Sequence, residues 1–149
     1  MKDSELEQQS KRVYPEITRS SELPQVCMTA IGIVENDVHE LLSPSQIKAH
    51  PSRIIVDPAL EEGLDGLMGG QRLLVVFQFH LLPGYELHQH PKGDPSLPKR
   101  GVFALHSPRR PNPIGVTEVD LLRREGNILH VSGLDAVNGT PVLDLKLNK

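Results

Sequence analysis

The sequence has little of what marks several common protein classes. It holds a single cysteine, Cys27, in 149 residues. That excludes an internal disulfide and favours a reducing cytoplasm. Cys27 itself reads as a small buried apolar residue rather than a nucleophile. No apolar run approaches the roughly 18 residues that a membrane-spanning helix needs, so no membrane partner is expected. The start, "MKDSELEQQSKRVYPE", is too polar for a secretory signal. An excess of positive charge is missing too: the net charge is −3, which argues against binding nucleic acid by bulk attraction. No internal repeat, glycine-rich phosphate loop or nucleotide-binding βαβ unit is visible.

What is present fits one domain with a real core. Residues 1–24 are polar, mixed in charge and aperiodic, and read as an N-terminal tail. The domain is expected over residues 25–149. Strands are expected at Val26–Val34, at Arg53–Pro58 and, strongly apolar, at Leu73–His80. Asp57 as cap and Pro58 at the first helical position predict a short helix, with Leu60, Leu64 and Leu67 on one face. The C-terminal third reads as antiparallel β. Val116–Arg124 and Ile128–Val137 flank a turn at Glu125–Asn127, with a bulge at Ser132-Gly133. Asn138-Gly139 is a turn that needs positive φ. A last strand follows, begun by Pro141 at a sheet edge. Strands outnumber helices, so the expected class is mainly β, a small single-domain β-barrel with one or two short helices.

Three stretches carry candidate chemistry. "HSPRRPNPIGV", His106–Val116, sets Arg109 and Arg110 on Pro108, Pro111 and Pro113. Each proline fixes φ and removes a donor. The segment should be stiff and extended, with carbonyls that lack partners within it. Apolar strand candidates on both sides exclude an interdomain linker. From His88 to Arg110, Lys92, Lys99, Arg100, Arg109 and Arg110 face one acid, Asp94. This local basic patch suits a phosphate or an RNA, or else a solvated loop. Within it, His88, His90 and Asp94 have a spacing that resembles a cupin metal site.

"RGVFALHSPRRPNPIGVTEVDLL" together with "EGNILHVSGLDAVNGTPVLDLK" closely resembles the TsaA-like (TrmO) family in its short form. "AIGIVEND", "IIVDPALEEGLDGL", "LLVVFQFH" and "HPKGDPSLPKRGVFA" extend the resemblance over about Ile31 to Lys146. It implies an S-adenosylmethionine-dependent methyltransferase on a small β-barrel, usually a homodimer. The implied reaction is N6-methylation of threonylcarbamoyl-adenosine beside the tRNA anticodon. By the same resemblance the cofactor pocket draws on Phe79, His80, His106, Val116 and the turn Asn138, Gly139, Thr140 and Pro141. Lys92, Lys99, Arg100, Arg109 and Arg110 are the candidate RNA contacts. For Arg110, a cofactor carboxylate, an RNA phosphate and bracing of the turn all stay open. His80 and Asp144 are candidates for a base, and none is required, because positioning can supply much of the rate.

The chain departs from the family pattern at named places. Leu105-His106 stands for threonine–arginine, Gly70-Gln71-Arg72 for phenylalanine–serine–histidine, and Asn138 for aspartate. The proline–tyrosine after the last strand, the proline–arginine–glutamine of longer members and their C-terminal domain are missing. His106 and Arg72 read as a swap of partners across one site, or as marks of another substrate or of an inactive binder. The rival functions are therefore a non-catalytic binder of S-adenosylmethionine and a cupin-like metalloenzyme on His88, His90 and Asp94.

Overall fold

The structure is a computed structural model that describes residues 22–149. The tail expected over residues 1–24 lies, as far as residue 21, outside the described residues.

Six antiparallel strands close into a barrel. They are β1 (Gly32–Glu35), β2 (Ser52–Val56), β3 (Arg72–Gln78), β6 (Ile114–Glu125), β7 (Ile128–Ser132) and β8 (Pro141–Leu147), in the order β1-β2-β7-β6-β3-β8. Closure leaves no free edge. Pro141 therefore opens an interior strand rather than an edge, paired with Ile33 of β1. It is tolerated there because it is the first residue of its strand. The wall alternates as a half-buried sheet should. Leu73, Val75 and Phe77 of β3 point into the barrel and meet Val119, Leu121, Leu129 and Val142. Residues 24–30 are exposed and form no strand pairing among the described residues, so the strand expected from Val26 begins only at Gly32, and Cys27 is exposed rather than buried.

Two short elements clamp the barrel ends. Pro58–Leu64 forms the expected helix, but as a 3₁₀ helix, with Asp57 accepting from the Ala59 N–H at 3.0 Å. Leu64, the last residue of the helix, is buried in the core; Leu67, beyond the helix, packs against it, and Leu60 stays outside. α1 (Pro44–Lys48) was not expected. Its start carries Pro44 at the first turn, and Gln46 accepts the Ser43 N–H at 3.0 Å. α1 buries Ile47 against Val38 and Val137, which holds down the loop leading into the Asn138 turn.

The excursion between β3 and β6 folds as a small second sheet. β4 (His88–Gln89) pairs with β5 (Arg100–Gly101). Three-residue 3₁₀ turns follow each, Pro91–Gly93 and Val102–Ala104.

Candidate functional site

One end of the barrel gathers most of the residues singled out above. β3 leaves the wall after Gln78, and its next residue, Phe79, packs edge-on against Phe77, with ring centroids 5.2 Å apart and planes at 74°. Across the ladder, Phe77 faces Gly115 of β6. A Cβ at Gly115 would lie 2.6 Å from the Phe77 ring and 2.8 Å from the Phe79 ring. The glycine of "PIGV" is thus the space in which the two rings sit. Gly115→Ala is expected to lower stability by about 1–3 kcal/mol, the usual cost of overpacking, measured as a shift in denaturant midpoint.

The proline segment docks beside this pair. Pro113 O accepts the Phe79 N–H at 2.7 Å. Two tight turns shape the segment: Arg110 N–H to Pro108 O at 3.1 Å and Ile114 N–H to Asn112 O at 2.7 Å. The half-buried Arg110 donates Nη1 to Leu105 O at 3.0 Å and to Ser107 O at 3.2 Å. Of its three open roles, bracing is the one observed. Most carbonyls of the segment are thereby engaged, several within it, contrary to expectation. The cause is local turning around the arginine where extension was expected. Among the described residues the carbonyls of His106, Arg110 and Pro111 keep no protein partner.

The late turn arrives from the other side. Gly139 has φ +85°, and Thr140 N–H returns to Val137 O at 3.2 Å. Thr140 is buried and its Oγ1 donates to the same carbonyl at 2.7 Å. β7 stops at Ser132, and Gly133 at φ +87° ends the strand rather than bulging it. His80 Nε2 lies 4.0 Å from where a Gly139 Cβ would stand, which joins the end of β3 to the turn. Asn138 Oδ1 accepts the Asn36 N–H at 3.0 Å, a role the family's aspartate can fill equally. Asn36 in turn donates Nδ2 to Ala136 O at 2.8 Å and to Ser52 Oγ at 3.0 Å, and its Oδ1 accepts from Val38 N–H at 3.0 Å. The Thr117 hydroxyl donates to the Asp135 carboxylate, which ties β6 to the segment leading into the turn. Sequence reasoning missed Asn36, Thr117 and Asp135 as positioning residues, because each acts on a distant segment.

Phe79, His80, Asn138, Gly139, Thr140, Pro141 and the proline segment therefore share one end. Val116 lies outside it on the barrel wall, 56% exposed, opposite Val76. Asp144 is opposite the same Val76 on the β8 side, beside Lys146 at 3.7 Å. Val76 and His80 are four residues apart, or about 13 Å along an extended chain, so the two candidate bases do not meet. His106 is exposed at the near end of the proline segment. Arg72 opens β3 at its other end and pairs with Glu118 at 2.7 Å and Asp120 at 3.5 Å. Of the three readings of these departures, the swap of partners between Arg72 and His106 does not fit the fold, since Arg72 has carboxylates on the outer wall.

The basic residues lie on the β4–β5 excursion. Lys92, Lys99 and Arg100 are exposed. Arg109 is half exposed and pairs with Glu86 at 3.4 Å. Gln89 Nε2 donates to Glu86 O and to Arg109 O, each at 2.6 Å, which ties the proline segment to the excursion. Lys92 has φ +53°, the one non-glycine residue in the left-handed region among those described. The metal arrangement does not form. His90 Nδ1 is engaged with Leu97 O at 2.8 Å. The Ser96 hydroxyl and, after it, the Ser96 N–H hold the Asp94 carboxyl below its usual range. Among the described residues no group of three His, Cys, Asp or Glu side chains is placed to hold a metal ion.

Known proteins resemble this chain in sequence and fold. A Pyrococcus abyssi protein named a probable S-adenosyl-L-methionine-binding protein is 34% identical over 131 residues, 81% of this chain and 67% of its own length. A Rattus norvegicus tRNA (adenine(37)-N6)-methyltransferase is 40% identical over 88 residues, 58% of this chain but 20% of that one. The crystal structure of TrmO from Pseudomonas aeruginosa superposes with a TM-score of 0.66 at 29% identity, covering 85% of this chain and 57% of that one. The chain thus spans little more than half the length of that solved relative. The family model for the tRNA-methyltransferase O N-terminal domain matches residues 42–147. That match takes in the proline segment, the β4–β5 excursion and the late turn, and by it the chain belongs to the tRNA-methyltransferase O N-terminal domain family.

Proposed function

We propose that this chain binds S-adenosylmethionine at the barrel end formed by Phe79, His80, the proline segment and the Asn138–Pro141 turn, and methylates N6 of threonylcarbamoyl-adenosine beside the tRNA anticodon. The observation that carries the reading is the convergence of these three segments, distant in sequence, on one rigid end. The residues fit the cofactor. The free carbonyls of His106, Arg110 and Pro111 can accept from an adenine amino group and face a positive sulfur. Gly139, without a side chain, leaves room for close approach. When bound, S-adenosylmethionine supplies a methyl group on a sulfonium centre. The protein's part is to hold its segments in advance, so that less ordering entropy is lost on binding. His80 is the candidate nearest the turn for taking up a proton, and Asp144 is too far along the wall to share that role.

Lys92, Lys99 and Arg100 would contact RNA phosphates, since positioning contacts to nucleic acid go largely to the backbone. Arg109 must first release Glu86. Domain limits of 25–149, a cytoplasmic location and a homodimer complete the reading. Val116 and Ile33, both outward and more than half exposed, are apolar wall that a second copy would cover, and sedimentation tests this.

The test of the cofactor site is thermal. S-adenosylmethionine or its demethylated product at a hundredfold excess over Kd should add about 2.7 kcal/mol of stability. Asn138→Asp should keep that shift, because the acceptor to Asn36 remains. No shift at millimolar ligand would remove the cofactor assignment. For RNA, Lys92→Gly relieves a left-handed residue and should not lower the melting temperature. It should still weaken tRNA binding at low salt and flatten the log–log salt dependence by about 0.7–0.9. Unchanged affinity and slope would take Lys92 out of the interface.

A further inference from the structure

The chain has three phenylalanines. Two of them, Phe77 and Phe79, stack on each other at the barrel end. The third, Phe103, is 78% exposed, although its backbone is firmly held. Val102 beside it is buried and its N–H donates to Leu87 O at 2.8 Å, while Leu105 N–H closes the turn on Val102 O at 3.1 Å. A fixed turn thus presents a bare ring to solvent. Its surroundings are cationic: Arg100 precedes it on β5, Lys99 stands just before that strand, and Arg109 is tied to the same excursion through Gln89. Tyr85 and Leu87, 55% and 61% exposed, run along the neighbouring chain. A flat apolar ring inside a positive patch matches a polyanion that carries flat apolar groups, which is single-stranded nucleic acid.

We propose that Phe103 is a stacking platform for an unpaired base of the bound tRNA, an inference that rests on the RNA reading above and adds to it the residue that recognises the open loop. The cations would grip the backbone, and the ring would select unpaired over paired RNA, because a paired base offers no free face. The contribution is separable from that of the cations. Stacking releases no counterions, so losing it should shift affinity equally at every salt concentration.

The experiment measures the affinity of an unmodified tRNA transcript, and of a fully paired RNA duplex, at two salt concentrations, with the cofactor-induced melting shift and sedimentation as controls. Phe103→Ala should weaken transcript binding about five- to a hundredfold. The salt slope, duplex binding and melting shift should stay as in the wild type. Phe103→Trp should restore affinity, and Phe103→Leu, apolar but not planar, should not. Full affinity in Phe103→Leu would overturn stacking. Dissociation of a dimer in Phe103→Ala, with RNA affinity kept, would assign the ring to a second copy of the chain. A wild type that shows the melting shift but binds no transcript would overturn the RNA reading itself, and this proposal with it, whereas transcript binding unaffected by Phe103→Ala would overturn only the proposal.

Discussion

Phe77→Ala is expected to lower the stability of the barrel by about 3–5 kcal/mol, the range for deleting a buried aromatic ring. Phe77 is 2% exposed and sits where three strands meet, in register with Gly115 of β6 and Val142 of β8. The wall cannot collapse onto the space, because barrel closure fixes the strands on either side. The ring also supports Phe79, so the cofactor-induced melting shift should shrink along with the melting temperature. Phe77→Leu keeps most of the volume and should cost much less. Equilibrium denaturation checks both. A loss below about 1 kcal/mol for alanine would mean that the ring is not the packing centre that its register implies.

The second large effect is expected at Arg110. Hydrogen bonds from a charged group contribute about 1.5–3 kcal/mol each, and Arg110 makes two, to Leu105 O and Ser107 O. The side chain is only half-buried, so the lower end applies. Arg110→Ala should free those two carbonyls and let the segment relax from its turned shape. Cofactor affinity should fall at least about tenfold, roughly 1.4 kcal/mol, with a smaller loss of global stability. Arg110→Lys, which keeps a charged donor on a shorter side chain, should recover part of it. The comparison is by calorimetric titration with S-adenosylmethionine. Unchanged affinity in Arg110→Ala would show that the prolines alone hold the segment.

The class of fold was legible because the strands announce themselves locally. Leu73–Phe77 is an unbroken apolar run of strand length, "EGN" and "NG" supply turns, and no helix-length apolar period competes. Closure was not legible. Nothing local says that β1 pairs with β8 or that β3 lies between β6 and β8, since those contacts join residues far apart in sequence. The end of β7 was misplaced for a related reason: apolar residues continue past Gly133, yet they turn inward at Leu134 and Ala136 to fill the barrel mouth. The proline motif falls at the barrel end with Phe79 and the late turn, whereas its backbone was misjudged. Carbonyls expected to be free are drawn together by Arg110, a tertiary role that composition does not display. Asn36, 102 residues from Asn138, had no signal at all. Arg72 and His106 looked complementary in an aligned string, and the length of β3 separates them.

The most direct test of the central claim is transfer of a labelled methyl group. The full chain would be incubated with methyl-labelled S-adenosylmethionine and tRNA carrying threonylcarbamoyl-adenosine, and the nucleosides then separated. Label is expected on N6 of that adenosine, reduced at limiting cofactor in Arg110→Ala and strongly reduced in Phe103→Ala. Cofactor binding with no label in any tRNA nucleoside would contradict it, and would make the chain a binder of S-adenosylmethionine without methyl transfer to tRNA.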